Sequence, residues 1–409
     1  MPTSHPGATP GVTPSVTIDS QDFREDRYSR LRLIPWWDQN KIAAAKVLVV
    51  GAGALGNEIL KNLALLGFRN VVIVDLDRIE ESNLSRAVLF RASDVGKYKA
   101  AAAASGFEEL AGGAQARAVV GNIVHGCGLG LFGWADLILA GLDNREARLW
   151  INRSAWKMNR SWVDGAIEGI NGVARVFLPG APPCYECTLG EVDWQLLDQR
   201  MSCNLLLREA NTAGKVPTTP TISSIIAGIQ VQEGVKLLHA MPTLSGQGFV
   251  FEGLNHTSYR VNYTAKEDCM SHHTLERVIP LPVRSSEMRL VDLWERVCDD
   301  LGSREVTVDL SRDVIHKFVC ATCGGEEEKF VPVGSLSFEQ GRCPKDGQMR
   351  TVKTIHSFTG TEAYGQRALN QLGLPLFDVF TARTEDREIG YLIAGDEQEI
   401  LGPLAGWSK

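Results

Sequence analysis

No stretch of about 18 consecutive apolar residues occurs in the chain, which excludes a hydrophobic membrane-spanning helix. A dense Lys/Arg block is also lacking, and 42 basic against 49 acidic side chains leave a net charge of −7. That balance argues against non-specific nucleic-acid binding. Residues 1–20 are rich in Pro, Thr, Ser and Gly, contain no apolar signal core, and read as a flexible tail. No internal repeat is present. What remains is an ordinary soluble composition, 44% hydrophobic and 22% charged. At 409 residues the chain has room for one large domain plus a smaller one, or two comparable ones.

Cysteine is not scarce: Cys127, Cys184, Cys187, Cys203, Cys269, Cys298, Cys320, Cys323 and Cys343. Two Cys-x-x-Cys pairs in a large chain without a signal peptide favour metal binding in a reducing compartment over disulfides. A cytoplasmic location is expected.

The stretch around which the chain is organised is Lys46-Val-Leu-Val-Val-Gly51-Ala-Gly53-Ala-Leu-Gly56. A β-branched apolar run enters a Gly-x-Gly-x-x-Gly turn, and a helix with Ile59, Leu60, Leu63 and Leu66 on its apolar stripe leaves it. Gly51 permits the tight turn, Gly53 lets backbone N–H groups approach a phosphate, and Gly56 lets helix and strand pack closely. The helix N-terminus carries unpaired N–H groups and partial positive charge, which suit an anion. A second strand, residues 70–75, ends on Asp75, roughly twenty residues past the turn and placed to take a ribose hydroxyl. By itself this motif fits a dinucleotide dehydrogenase as well as an ATP-using enzyme.

Downstream, Asn83 and Arg86 stand three apart in a polar loop, on one face if that loop is helical. Lys97 and Lys99 open an Ala-rich helix where cations oppose the macrodipole; this suits an anionic ligand, and equally describes solvated surface lysines. A strand at 136–143 ends on Asp143, and strand C-termini form the ligand crevice of an open α/β sheet. Strands alternating with helices predict an α/β, Rossmann-like domain with a mostly parallel sheet covered on both faces. Upstream, residues 26–35 read as a basic helix ended by Pro35. From about Thr274 the character changes, with Pro280 and Pro282 marking a linker. A helix is expected over 290–301, with short strands at 305–310 and 315–319.

The glycine turn, Asp75, Asn83-Leu-Ser-Arg86, Lys99, Asp143-Asn144 and Cys184-x-x-Cys187 occur in this order. Together they resemble the adenylation domain of the ThiF/MoeB and ubiquitin-activating-enzyme superfamily. The resemblance covers Arg27 to His273, in a layout most like bacterial or non-canonical homodimeric members. It implies ATP and Mg²⁺ as cofactors: Arg86 and Lys99 cradle the triphosphate, Asn83 hydrogen-bonds it, Asp143 holds Mg²⁺ and Asp75 takes the ribose. Arg27-Tyr-Ser-Arg30 matches the family's N-terminal Arg-Tyr-x-Arg, whose second arginine enters a partner subunit's site, so Arg30 implies a homodimer. Fixed cations suit adenylation because charge builds on the phosphates as pyrophosphate leaves.

Ubiquitin-type members also capture the acyl group on a cysteine lying between the first zinc pair and a helix introduced by a Thr/Pro-rich stretch. Met201-Ser-Cys203 and the following Thr218-Thr-Pro-Thr-Ile-Ser-Ser resemble that arrangement, which assigns Cys203 the thioester. A thiolate attacks an acyl-adenylate readily and the thioester stays reactive. No nearby histidine offers a base, so the reaction depends on the adenylate as leaving group. An alternative is an adenylyltransferase for a sulfur-carrier protein, in which Cys203 is dispensable. A non-catalytic adenylation-fold scaffold is disfavoured, because a scaffold would tolerate loss of the charged ATP-site residues.

By the same resemblance Cys184 and Cys187 bind structural Zn²⁺ with a second pair after the long helix, here Cys269 with His272, or His273, in place of the last cysteine. Cys320-x-x-Cys323 with Cys343 looks like a second zinc knuckle, completed by His316, His356 or Asp346. The expected organisation is a tail (1–20), an adenylation domain (21–273) with a crossover segment at about 188–216, a linker (274–284), and a smaller α+β domain (285–409). The last is expected to be β-grasp-like with a zinc-ribbon insertion. The partners implied are a ubiquitin-like protein and a conjugating enzyme bound by the C-terminal domain, with no nucleic acid and no membrane.

Overall fold

A computed structural model describes residues 25–200, 206 and 217–406. Cys203 and the tail at 1–20 lie outside the described residues. The segment expected as a basic helix forms only a 3₁₀ turn at Leu31–Leu33. So short a segment is a marginal helix in water, and tertiary contacts hold it otherwise. The Arg27 guanidinium donates to the Leu110 and Ala111 carbonyls.

The adenylation half begins with α1 (Gln39–Ala44) and β1 (Lys46–Val50), followed by α2 (Ala54–Leu66) and β2 (Asn70–Asp75). Next come α3 (Lys99–Ala111), β3 (Gln115–Val120), α4 (Leu129–Trp134), β4 (Leu137–Ala140) and α5 (Arg145–Lys157). Then follow β5 (Trp162–Glu168), β6 (Asn171–Phe177), α6 (Glu191–Arg200), α7 (Pro220–Leu238), β7 (Gln247–Glu252) and β8 (Thr257–Asn262). The sheet runs β3-β2-β1-β4-β5-β6-β7-β8. The first five strands are parallel and the last three antiparallel. The change falls at β5–β6, where the connection is too short for the crossover that a parallel pair needs.

Successive residues of β1 and β2 enter opposite cores, as a doubly covered sheet requires. Val47, Val49, Val71 and Ile73 pack with α2, α3 and α7; Leu48, Val50, Val72 and Val74 pack with α4 and α5.

The C-terminal part comprises β9 (Val278–Leu281), α8 (Leu290–Leu301), β10 (Thr307–Val319), β11 (Glu326–Pro332), β12 (Thr351–Phe358), β13 (Val379–Arg383), β14 (Glu388–Ile393) and α9 (Glu397–Leu401). Its sheet is ordered β11-β10-β13-β14-β9, with β12 antiparallel to β10 from Val308 to Val319. The α8 stripe Leu290, Leu293, Val297 and Leu301 is buried against it. A single strand, rather than the hairpin of a β-grasp, precedes this helix.

Two expectations need correction. The stretch 274–284 is not simply a linker, since it contains β9, parallel to β14 at the sheet edge. An edge strand tolerates Pro280 because its missing N–H need not serve a second neighbour. The two short strands at 305–310 and 315–319 are one bent strand, β10, whose pairing shifts between Ile315 and Lys317. Such an irregularity bends a strand without ending it.

The C-terminal part is fastened to the back of the first sheet. Phe377, Val379, Leu392, Leu401 and Leu404 share the core of α4 and α5. Trp134 Nε1 donates to Leu404 O at 3.1 Å, and Arg117 donates to Glu399 O and Ile400 O. Arg312, on β10, reaches the Val124 and Cys127 carbonyls in the loop before α4.

Candidate functional site

A cleft of about 1320 Å³ opens at the carboxyl ends of β1, β2 and β4. It exceeds the roughly 300–1,000 Å³ of ordinary small-molecule sites, leaving room for a nucleotide and an extended peptide end. Its walls bring together Gly51, Gly53, Asp75, Asn83, Arg86, Lys99 and Asp143, which the sequence reading singled out. Arg30 is not among them: its side chain is 87% exposed beside Glu25, at 3.8 Å.

The turn is built as its glycines require. Gly51 has φ +93°, and a Cβ there would meet Gly141 O at 2.5 Å. A Cβ on Gly56 would collide with the Gly51 carbonyl, so this third glycine packs against the turn itself. A Cβ on Gly53 would meet nothing within 4 Å. Gly53 therefore faces open cleft at the start of α2, where no acidic side chain and no side-chain cap occupies the first turn. Those N–H groups are available to a phosphate.

Asp75 has a second task besides its expected one. It accepts from Ala52 N at 2.7 Å and Asp77 N at 2.8 Å, bracing the glycine turn against the loop after β2. Burial pushes its carboxyl above the usual range, against the pull of those two N–H groups. Asn83 accepts from Glu80 N, and Arg86 donates to Ser82 O at 2.6 Å, so the same short turn presents both. Lys99 Nζ pairs with Asp77 at 2.8 Å. Asp77 thus holds the lysine at the cleft wall, a partner the sequence pattern did not single out.

Below Asp143 lies a buried ion cluster that the sequence reading missed. Asp164, on β5, receives Arg148 Nε at 2.8 Å and Arg175 Nε at 3.0 Å, and Arg148 also donates to the Leu142 and Gly165 carbonyls. Burial raises the Asp164 pKa, but the two guanidiniums outweigh it and hold the carboxyl below its usual value. Arg148 thereby fixes the carbonyl of Leu142 beside Asp143. The remaining wall contains His125, whose pKa burial, with Arg312 nearby, pushes down to about 4; the imidazole is neutral at pH 7. Gly334 and Ser335 of the C-terminal part also reach the cleft. No local pattern marks these residues, because the fold brings them from distant segments.

Two metal-type clusters lie outside the cleft. In the first, Cys184 Sγ is 3.8 Å from Cys187 Sγ and 3.5 Å from Cys269 Sγ, and Cys187 Sγ is 3.3 Å from His272 Nε2. Four ligands at zinc bond lengths stand about 3.5–3.8 Å apart, so this set fits Zn²⁺. His272 also stacks on Trp156, whereas His273 pairs with Glu388 and faces away.

The second cluster is two matching turns. Gly324 N donates to Cys320 O and Gly347 N to Cys343 O, with both glycines at positive φ. Asp346 therefore stands in the second turn where Cys323 stands in the first. Its Oδ2 is 3.2 Å from Cys320 Sγ, and Cys323 and Cys343 Sγ are 3.7 Å apart. His316 instead packs against the rings of Phe330 and Tyr364. Metal analysis of the purified chain is expected to return two equivalents of zinc; one would reject the second site. Among the described residues no helix is long and apolar enough to cross a membrane.

Residues 25–271 match the model of the ThiF family. The chain belongs to the ThiF family. Within curated proteins, this ThiF-family chain is 42% identical over 159 residues to the NEDD8-activating enzyme E1 catalytic subunit of Arabidopsis thaliana, covering 35% of this chain and 34% of that protein. It is 38% identical over 157 residues to the SUMO-activating enzyme subunit uba-2 of Caenorhabditis elegans, covering 38% and 27%. The matches thus span about a third of these relatives' length. The crystal structure of E. coli MccB with ATP superposes with a TM-score of 0.52 at 21% identity, over 62% of this chain and 75% of that one, a likeness of fold.

Proposed function

We propose that the chain activates the C-terminal carboxylate of a ubiquitin-like protein. The observation that carries this reading is the convergence of the open glycine turn, Arg86, Lys99 and Asp143 on one cleft with room for a peptide end. Membership of the ThiF family and the names of the NEDD8- and SUMO-activating relatives support it.

A carboxylate oxygen of the partner attacks the α-phosphorus of ATP. The α–β phosphoanhydride breaks, and pyrophosphate leaves with the bonding pair. The N–H groups at the α2 N-terminus, from Gly53 on, hold the phosphates, and Arg86 and Lys99 meet the charge that grows on them. Asp143 is the carboxylate for Mg²⁺, which when bound adds further neutralising charge. Arg30 of a second copy would complete the site in a homodimer. The thiolate of Cys203 then attacks the acyl carbon, AMP departs, and a thioester forms for hand-over to a conjugating enzyme. The four-ligand cluster of Cys184, Cys187, Cys269 and His272 holds Zn²⁺ and ties the segment before α6 to the segment after β8. The cytoplasm is the proposed location.

The test uses full-length chain, ATP, Mg²⁺ and a candidate ubiquitin-like protein. Partner-dependent ATP–pyrophosphate exchange and a thiol-sensitive adduct are expected. Cys203→Ala should abolish the adduct and retain exchange. Retention of the adduct in that variant removes the thioester assignment and leaves adenylation alone.

A further inference from the structure

The cleft wall that follows β3 is held by side chains of the C-terminal part. Arg312, on β10, donates to the carbonyl of Val124 and, at 2.9 Å, to that of Cys127, and its guanidinium lies over the Trp150 ring of α5 at 4.6 Å. Asp378, just before β13, stands 3.8 Å from the same guanidinium. It accepts from Leu129 N at 2.8 Å and from the Ser311 hydroxyl, which in turn accepts from Arg312 Nε at 3.1 Å. The Arg312 and Asp378 side chains are only 5% and 2% exposed, so these contacts are made out of reach of competing water. Gly128 and Gly130 make the close approach possible, because a Cβ on either would collide with the Phe377 carbonyl.

This wall is where a nucleotide base belongs. Base, ribose and phosphates follow one another in a line, and the sheet order β3-β2-β1 offers three stations in the same sequence. The phosphate turn follows β1, Asp75 closes β2, and residues 121–125 follow β3. With phosphates at α2 and the ribose at Asp75, the base lies over 121–125. Gly121 N donates to Asp75 O at 3.3 Å, so the wall adjoins the ribose station directly. Ile123, Val124 and His125 line the cleft there with apolar groups and a neutral imidazole. The C-terminal part adds to the lining beside them: Val333 N donates to Asp313 O at 2.9 Å, next to Arg312, and Gly334 and Ser335 reach the cleft.

We infer that Arg312 is a positioning residue for the nucleotide base, pinning the 121–127 wall to the C-terminal part, and that Gly334 and Ser335 complete the base seat. The inference rests on the ATP reading of the cleft. Both parts of the chain then build the seat, and loosening the Arg312–Asp378 contact weakens ATP binding without disturbing the phosphate turn.

The test compares parent, Arg312→Lys and Ser311→Ala chains at full length, with melting temperatures confirming that each is folded. Lysine keeps a positive charge for Asp378 but cannot reach both carbonyls, and Ser311→Ala loosens the same contact more mildly. Hydrogen exchange of the 121–130 peptide, without nucleotide, is expected to be about tenfold faster in Arg312→Lys and about threefold faster in Ser311→Ala. Calorimetric titration with Mg²⁺-ATP should show its Kd raised by the same factors, the order expected when a hydrogen bond from a charged group is lost. Inorganic triphosphate, which has no base or ribose, should bind all three chains within about twofold. Ser311→Ala alone decides the matter if Arg312→Lys does not fold. Unchanged peptide exchange overturns the inference, as does faster exchange with unchanged ATP affinity. Equal weakening of ATP and triphosphate also overturns it, since that marks general damage to the cleft. If the parent binds no ATP, faster peptide exchange in the variants keeps the role of Arg312 in holding the wall and removes the ATP reading instead.

Discussion

Arg86→Ala is expected to lower partner-dependent ATP–pyrophosphate exchange by about 10²–10³-fold, the usual cost of removing one preorganised charge-stabilising group from an active site. The fold should scarcely notice. Arg86 donates a hydrogen bond to the carbonyl of Ser82 within its own turn. Substitutions at such positions usually stay within about 0.5 kcal/mol. A large loss of exchange with an unchanged melting temperature therefore separates a phosphate-binding role from a structural one; unchanged exchange would sink the assignment. Lys99→Ala should act in the same direction. A phosphate at Lys99 would compete with its pairing to Asp77, so Asp77→Asn in the parent is expected to strengthen ATP binding.

Asp164→Ala is expected to destabilise the chain by about 3–5 kcal/mol, because it strands two guanidiniums in a buried site. Arg148 and Asp164 are nearly inaccessible, and Arg175 is little more exposed. Against a total stability of about 5–15 kcal/mol for a domain, this is enough to bring the melting temperature near the working range. Calorimetry checks it; a change below about 1 kcal/mol would show that the cluster is solvated or readily rearranged. The pH dependence has a definite sign. The folded pKa of Asp164 lies below its unfolded value of 3.8, so its contribution is present above that value and is lost as pH falls through the folded one. Release of the Leu142 carbonyl should also disturb Asp143, so residual folded protein should adenylate poorly.

Much of the cleft was legible because its parts are local. The turn from Gly51 to Gly56 is written in consecutive residues, and Gly51 and Gly56 meet steric demands visible in the fold, while Gly53 leaves the cleft open. Asp75 and Asp143 close strands, whose place at the crevice follows from α/β topology; Asn83, Arg86 and Lys99 were singled out by the resemblance to the adenylation superfamily. The β10 strand was read as two because the polar run Ser311-Arg312-Asp313 interrupts its apolar pattern, where the pairing with β12 shifts between Asp309 and Val314. The stretch around Pro280 was read as a linker because an edge position cannot be recognised without the neighbouring strand.

The sequence by itself determined that the chain has a Rossmann-like half with an anion-binding turn and two Cys-x-x-Cys pairs, since these follow from backbone sterics, hydrophobic period and ligand chemistry within short windows. Tertiary structure alone decided which histidine joins Cys184, that Asp346 completes the second turn pair, and that Asp77 restrains Lys99. Each of these depends on residues far apart in the chain meeting in one packed place, and no local pattern encodes the meeting.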